Sequence, residues 1–426
     1  MQRSSKSGRL LADVITNLSR EKGFSEEKLV IYQGNCWNHI RNIWLEAAEK
    51  YLARRLEEHM KHDLDLIPFH MHVSCRLGDI NIHVNKECNI TANYAKGHGE
   101  AYQHRMEKKH PGKRHIPPTR VIGGSRQDSS FEGSVAVYDA CEYILEFLDE
   151  ELKDGANLLQ NSLFIALGSM EVLAQIRVAA IIHVALSIPM RWLAGKTHTM
   201  AHNGWGEKSM GKALDILHNA LSQVQVDGKL LLDHYFMMNI FLDLYEELPE
   251  LKKYLEYEFE EKEGNVIGSS HDQQRILAMD EAVADLFWPT SQAKRETTAF
   301  CAELAVGVAT TFLTQFESGV TANYLSKIDG IYSIKVLTDK EIDQSLGVRA
   351  NNDASESNFA TFTDILVKGG RIGLLEAAGV GHSRFNGDMK RPIAELVTGR
   401  KAKPNQDEVN SKLGLFHRIG EKLQNS

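Results

Sequence analysis

The segment Ser162–Ile188, SLFIALGSMEVLAQIRVAAIIHVALSI, is the longest apolar run of the chain. It is long enough to cross a membrane, but it carries the polar or ionisable side chains of Glu171, Gln175, Arg177 and His183. Such side chains are costly inside a bilayer, so the run predicts a helix buried in a large protein core. We therefore expect a helical protein without a membrane partner.

Helical patterns dominate the chain beyond residue 134. Apolar residues recur there at the spacing of a helix face, in segments joined by short connections. The segments are 135–153, 158–186, 207–225, 228–247, 249–262, 272–287 and 292–316. Together they predict an all-helical domain over residues 134–331.

The first 61 residues follow a mixed pattern. Residues 8–22 have the spacing of an amphipathic helix, and residues 28–33 are a short run of β-forming side chains that Gly34 ends. A long helix is predicted from about Asn38 to His59. An α/β arrangement is therefore expected at the start of the chain.

Three other regions complete the chain. Residues 62–133 lack regular periodicity and are rich in histidine and glycine, which predicts an irregular arm. Residues 332–380 begin with a strand-like segment, 333–337, and lead into a further helix. Residues 381–426 are expected to form a basic tail with one amphipathic helix.

Residues 351–359, NNDASESNF, have the pattern of a helix start with a carboxylate in the first turn. Asn352 or Asp353 can serve as the N-cap, which places Glu356 on the inward side of the helix. Two explanations for this carboxylate remain open. Acidic residues favour the first turn because the helix dipole is positive there, or Glu356 is a metal ligand.

Cys36 and His39 form a C-x-x-H pair at the turn between the predicted strand and the long helix. Both are zinc-ligand types, but a structural zinc site needs a second pair of ligands. Candidate second ligands are His59 and His62, or His70, His72 and Cys75. A zinc site and ordinary solvated histidines are both compatible with this pattern.

The segment Pro189-Met190-Arg191-Trp192 follows the long apolar run. One interpretation is an ordinary helix end at which Trp192 packs against the domain. The other interpretation depends on the order of the motifs, in which C-x-x-H comes first, Arg-Trp second and the Glu356 helix last.

In this order the motifs resemble those of RNase H-like, DDE-type transposases of eukaryotic DNA transposons, especially the hAT-like group. The resemblance covers roughly residues 8–367 and depends on order and spacing, because each motif is short. It implies an α/β, predominantly helical fold, in which a large all-helical insertion interrupts a partial RNase H-like core. The implied regions are a partial core at 1–61, an arm at 62–133, the insertion at 134–331, a return to the core at 332–380 and the tail at 381–426.

Carried over by position, the family's motif residues match Cys36, His39, Arg191, Trp192 and Glu356. The resemblance implies DNA strand cleavage and transfer with Mg²⁺ or Mn²⁺, held by three carboxylates. Only the last of these carboxylates has a match here, because the first two aspartates are expected before the C-x-x-H. The expectation is a transposon-derived protein, truncated at the N-terminus and catalytically incomplete, that binds DNA or other subunits and can form a homo-oligomer.

The formal net charge of −8 argues against a uniformly basic DNA-binding protein. The basic residues are nevertheless grouped, and local groups of this kind can contact phosphates. The candidate DNA-binding residues are Lys108, Lys109, Lys113 and Arg114 in the arm, and Arg384, Lys390 and Arg391 in the tail.

The cysteines at 36, 75, 88, 141 and 301 are too sparse for a disulfide framework, which indicates a reducing compartment. The basic, polar N-terminus does not have the pattern of a secretory leader, so a nuclear or cytoplasmic location is expected. Two other functions remain open. One is a helical protein-interaction scaffold without a nucleic-acid role, and the other is a zinc-dependent regulatory module around Cys36 and His39.

Overall fold

The structure is a computed structural model. It describes residues 37–60, 99–111, 128–153, 158–196, 209–244 and 282–333, together with a few single residues and short stretches between and after them. All of these residues belong to one compact unit, Asn35–Ala350. This part of the chain is predominantly helical and contains no strand.

The described helices range from 5 to 26 residues in length. They are α1 Trp37–Met60, α2 Gly99–Lys109, α3 Asp128–Lys153, α4 Leu158–Gly168, α5 Met170–Ile182, α6 Ile188–Lys196, α7 Met210–Val226, α8 His234–Met238, α9 Gln292–Glu296 and α10 Thr298–Phe316. Residues 282–287 are also helical. A π-helical turn, His183–Ser187, joins α5 to α6, and 3₁₀ turns lie at Gly228–Leu232, Leu242–Leu244, Thr321–Tyr324 and Ser326–Ile328.

Helix α5 is the centre of the core. Every residue from Val172 to Ile182 is buried, and α3, α4 and α10 pack around the helix. A helix that is apolar on all sides needs neighbours on all sides, and the surrounding helices supply them. The buried helix predicted from the apolar run is therefore confirmed.

Two helical segments in the described part of the chain are long and apolar enough to span a membrane, namely Met170–Ala194 and Thr298–Phe316. The most apolar window of the first segment is 94 % buried inside the protein, as expected of a core helix. The corresponding window of the second segment is 44 % buried, and this helix packs against α1, α5 and α7. The expectation of no membrane partner remains a prediction.

Helix α10 brings the early and late parts of the chain together. Its buried residues recur every three or four positions and form one apolar face. Near the end of this face, the Phe316 ring meets the Trp44 ring of α1 edge to face, with centroids 4.5 Å apart. Trp37 of α1 meets Tyr324 in the same way at 4.9 Å. Aromatic contacts therefore fasten α1 to the segment that ends the described unit.

The long helix predicted over residues 158–186 is divided in two. Its first part, α4, ends at Gly168, and Ser169 then adopts an extended conformation and accepts a hydrogen bond from the Val172 N–H. A serine in this position caps the new helix by satisfying a backbone donor that has no partner within the first turn. Periodicity alone did not indicate this interruption.

Other sequence predictions differ from the structure in identifiable ways. The arm predicted to be irregular contains α2, and α3 begins at Asp128 rather than near 135. The strand predicted at 333–337 is wrong, because the N–H groups of Val336 and Leu337 both turn back to the Ser333 carbonyl at 3.0 Å. Between 228 and 247, Asp227 and Asp233 accept backbone hydrogen bonds and divide one predicted helix into short turns.

The predicted helix 38–59 is confirmed by α1. The predicted helices 8–22 and 249–262, and the strand 28–33, lie outside the described residues. The RNase H-like α/β core depends on those segments and therefore remains a prediction.

The close approach of Gly228 to α10 gives a test of the packing. A Cβ on Gly228 would lie 1.9 Å from the Ala302 carbonyl oxygen, whereas a Cβ on Gly168 would meet nothing within 4 Å. We expect Gly228→Ala to lower the free energy of unfolding by about 1–3 kcal/mol, the usual cost of overpacking. Gly168→Ala is the matched control and should change it little. Urea denaturation measures both, and equal effects would contradict the packing.

Candidate functional site

The helices that carry two of the sequence motifs lie side by side. His39 is exposed in the first turn of α1, and Cys36 lies just outside the described residues. Two residues after His39, the buried guanidinium of Arg41 donates a hydrogen bond from Nη1 to the Ser187 carbonyl, 3.2 Å away. Ser187 ends the π-helical turn before α6, which itself packs on α1. A charge-assisted contact therefore joins parts of the chain 146 residues apart.

The π-helical turn explains how the Arg-Trp pair is presented. The Ile188 N–H donates to the His183 carbonyl five residues earlier, and Pro189 follows with no N–H to donate. A proline ring inside a regular helix collides with the carbonyl four residues before it, and a widened turn relieves this clash. The helix therefore continues past Pro189 to Lys196, which corrects the interpretation of Arg191–Trp192 as a helix end.

Arg191 and Trp192 point in different directions from α6. The Arg191 side chain is exposed, whereas Trp192 is partly buried and packs against the apolar core. The packing role considered for Trp192 therefore agrees with its position. Beside this region, a small cleft between α1, α6 and α10 has an apolar lining that includes Trp44 and Met190. Arg41 and Ser187 also line this cleft and are hydrogen-bonded to each other, so we assign the cleft no substrate.

The basic residues of the arm do not all face solvent freely. Lys108 is exposed on α2, whereas Lys109 forms ion pairs with Glu146, at 2.8 Å, and with Glu150 of α3. His110 lies 2.8 Å from Glu146. The other candidate DNA-binding residues, Lys113, Arg114, Arg384, Lys390 and Arg391, lie outside the described residues. The grouping of basic residues in the sequence did not indicate these acidic partners, and the assignment of the group to DNA binding remains a prediction.

The predicted metal sites fall mainly on residues that the structure does not describe. These include Glu356, Cys36 and the other proposed zinc ligands except His39 and His59. His59 Nε2 lies 3.0 Å from a Glu171 oxygen, on the surface where α1 meets α5. In the described part of the chain, no group of three His, Cys, Asp or Glu side chains could hold a metal ion. The Mg²⁺, Mn²⁺ and Zn²⁺ assignments remain predictions.

A buried polar network inside the helical unit is the feature that sequence analysis missed. Arg177 of α5, which is 1 % exposed, donates from Nε to the Leu286 carbonyl at 2.8 Å and from Nη1 to the hydroxyls of Thr297 and Thr298. Next to Leu286, the Asp285 carboxylate pairs with the Lys294 ammonium at 2.5 Å. An arginine in the middle of a mostly apolar run was the signal that could have indicated such a network.

The charges of this network are fixed by its hydrogen bonds. Burial alone would raise the pKa of Asp285, but the bond to Lys294 and two hydrogen bonds from Thr290, both 2.8 Å, together lower it below the ordinary value. Asp285 is therefore ionised at neutral pH. The Lys294 ammonium also lies 4.6 Å above the Tyr138 ring, an additional favourable contact for the cation.

Two cysteines near this network are poor candidates for a nucleophile. Burial raises the pKa of the Cys141 thiol to about 12, and burial also raises that of Cys301. A neutral, enclosed thiol is unreactive, because the thiolate is the attacking species. The network around Arg177 and Lys294 therefore holds helices together, and we assign it no chemistry.

No protein-family model matches the chain, and no curated protein or solved structure is significantly similar to it.

The buried ion pair predicts an unequal response to two lysine substitutions. Lys294→Met leaves the Asp285 charge buried without its cation, so we expect a loss of about 3–5 kcal/mol in the free energy of unfolding. Lys50→Met is the control, because Lys50 pairs with Glu46 on the surface, and it should cost about 1 kcal/mol or less. Urea denaturation at pH 7 compares them, and a similar small loss for both would contradict the network.

The ion pair between Asp285 and Lys294 also predicts how the stability of the protein changes with pH. Since the folded-state pKa of Asp285 is lowered, its contribution to stability is present above the ordinary carboxyl pKa and is lost as the pH falls through the lowered value. Asp285→Asn should therefore reduce the loss of stability on acidification. Denaturation at pH 7 and at pH 3 measures this difference, and an unchanged pH dependence would contradict the assignment.

Proposed function

We propose that this chain is a transposase-related protein that binds DNA through its helical unit and basic segments and lacks strand-cleavage activity by itself. The observation that carries the proposal is the contact between Arg41 of α1 and Ser187 before α6. These helices carry His39 of the C-x-x-H pair and the Arg-Trp pair, two motifs of the hAT-like resemblance. Their proximity is expected if the motifs belong to one functional region.

The predominantly helical unit also supports this proposal. The resemblance implies a large all-helical insertion over residues 134–331, and the described residues of this range form helices and tight turns around α5. An insertion of this kind can present side chains to DNA without contributing to metal chemistry. The RNase H-like core, which the resemblance implies at residues 1–61 and 332–380, is a further part of this proposal.

Binding without cleavage follows from the carboxylates. Two-metal phosphoryl transfer requires several carboxylates to hold the divalent ions. The resemblance assigns only Glu356 to this role in the present chain. We therefore propose a protein that recognises DNA or joins other subunits, and that cleaves only if the missing carboxylates come from elsewhere.

A second candidate function is supported by one exposed surface. Trp288 is 60 % exposed and Tyr235 is 76 % exposed, and the Trp288 ring lies against His234 with centroids 4.5 Å apart. Exposed aromatic side chains of this size are common at protein interfaces. A helical scaffold that binds another protein through this surface would explain them.

DNA binding is tested by a salt series. Fluorescence anisotropy with a labelled duplex should show an affinity that falls steeply and linearly on a log–log scale as salt increases. The variant Lys390→Gln with Arg391→Gln should lower the slope by about 0.9 for each phosphate that the protein no longer neutralises. The control variant removes two charges elsewhere, at the exposed Lys229 and Lys335, and should leave the slope unchanged.

Two results would contradict the DNA-binding proposal. One is the absence of binding even at low salt. The other is binding with no dependence on salt, because contacts to phosphates make the affinity fall as salt rises.

The absence of cleavage is tested on the same protein. We expect no nicking or strand transfer of duplex DNA with Mg²⁺ or Mn²⁺, because one carboxylate cannot hold the metal pair. A plasmid-nicking assay of the wild type and of Glu356→Gln measures this. Metal-dependent activity that Glu356→Gln abolishes would refute the proposal that the metal site of this chain is incomplete.

A further inference from the structure

We propose that one face of α2 is a binding surface for the DNA phosphate backbone, and that Glu146 and Glu150 of α3 cover it until DNA displaces them. We call these two side chains the carboxylate cover. The inference rests on the proposed DNA binding and adds a location and a means of control. No part of it requires a metal or a cofactor.

The carboxylate cover engages three basic side chains at the C-terminal end of α2. Glu146 accepts from Lys109 at 2.8 Å and lies 2.8 Å from His110 Nε2. Glu150 accepts from Lys109 as well, and from Arg105 Nη1 at 3.2 Å. Each carboxylate thus bridges two basic groups, as the oxygens of a phosphate would.

The ionisation of these groups favours the covered state at neutral pH. Hydrogen bonds from Lys109 and His110 lower the pKa of Glu146, and the bond from Lys109 lowers that of Glu150. Hydrogen bonds to Glu146 and Glu150 raise the pKa of Lys109. The carboxylates and the ammonium are therefore charged together, and the basic face is neutralised within the chain.

The cover is exposed enough to be displaced. The side chains of Arg105, Lys109, Glu146 and Glu150 are between 30 % and 37 % exposed. Ion pairs at this exposure contribute little net stability, because water and salt screen them. A DNA backbone carries a dense row of phosphates and releases counterions on binding, so it can compete with two carboxylates.

Apolar contacts hold α2 on α3 independently of the cover. Tyr102 and Met106 are 2 % and 1 % exposed, and the Tyr102 ring meets Phe147 edge to face at 5.4 Å. The Arg105 guanidinium lies 5.3 Å from the same Phe147 ring. Removing the charges of the cover should therefore leave α2 in place and expose its basic groups.

The surrounding charges fit a nucleic-acid backbone better than a small anion. Lys108 is exposed beside Lys109 and forms no ion pair with the described residues. Arg105, Lys109 and His110 lie close by, where the carboxylate cover engages them. Several cations spread along a short segment can contact successive phosphates, whereas a small anion occupies one point.

The test replaces the cover with neutral isosteres and measures duplex binding across a salt series. Glu146→Gln with Glu150→Gln should bind more tightly than the wild type at low salt. Its slope of log affinity against log salt should steepen by about 0.9 for each additional phosphate that the protein neutralises, or about 1.8 for two. Circular dichroism and thermal unfolding check that the variant remains folded.

A matched control separates local uncovering from a general change of charge. Glu57→Gln with Asp243→Asn also removes two negative charges, from exposed positions in other elements. This control should leave the slope unchanged. Adding Lys109→Gln to the variant without the cover should abolish most of its increase in affinity, whereas Lys109→Gln alone should change wild-type binding little.

The outcomes distinguish failure of the carboxylate cover from failure of the DNA-binding function on which it rests. If the wild type binds DNA and loss of the cover leaves the slope unchanged, or if the control changes it equally, the carboxylate cover is refuted and the DNA-binding function stands. If none of the variants binds DNA at low salt, both proposals are refuted.

Discussion

Burial of α5 on all sides is the constraint on which the rest of this structure depends. Its apolar residues need neighbours in every direction, and each polar group that it carries needs a specific partner. Gln175 donates to the Leu52 carbonyl of α1 at 2.8 Å, and Arg177 donates to the Leu286 carbonyl at the same distance. These bonds select which segments lie against α5, so a few buried polar contacts specify the arrangement of an otherwise apolar core.

Sequence periodicity predicted the helices that bury one broad apolar face. Helices α1 and α7 follow the predicted segments closely, because their spacing records the face that each one buries. The predicted helix 292–316 is divided at Thr297 into α9 and α10. The interruptions were harder to predict. The capping bond of Ser169 and the π-helical turn before Pro189 depend on local hydrogen bonds that periodicity does not record. Helix α2 packs through Tyr102 and Met106, which stand among polar side chains.

The sequence indicated individual residues of the candidate site, but not the tertiary contacts that these residues or their neighbours make. The sequence singled out His39, Arg191 and Lys109, but it contained no sign that Arg41 would reach Ser187 or that Glu146 would cover Lys109. These partners lie 146 and 37 residues apart, and only tertiary packing brings them together. The proposed resemblance to hAT-like transposases depends on the order of the motifs in the sequence, and the structure adds that α1 and α6, which carry two of them, pack together.

The central claim is that the two motif-bearing helices are neighbours. Electron–electron double resonance between spin labels at the exposed positions His39 and Arg191 tests it most directly. Labels attached through unnatural amino acids avoid the chain's five cysteines. The contact between Arg41 and Ser187 predicts one narrow distance distribution at the short end of the measurable range, since packed helices lie about 8–10 Å apart. A broad distribution, or a long distance, would contradict it.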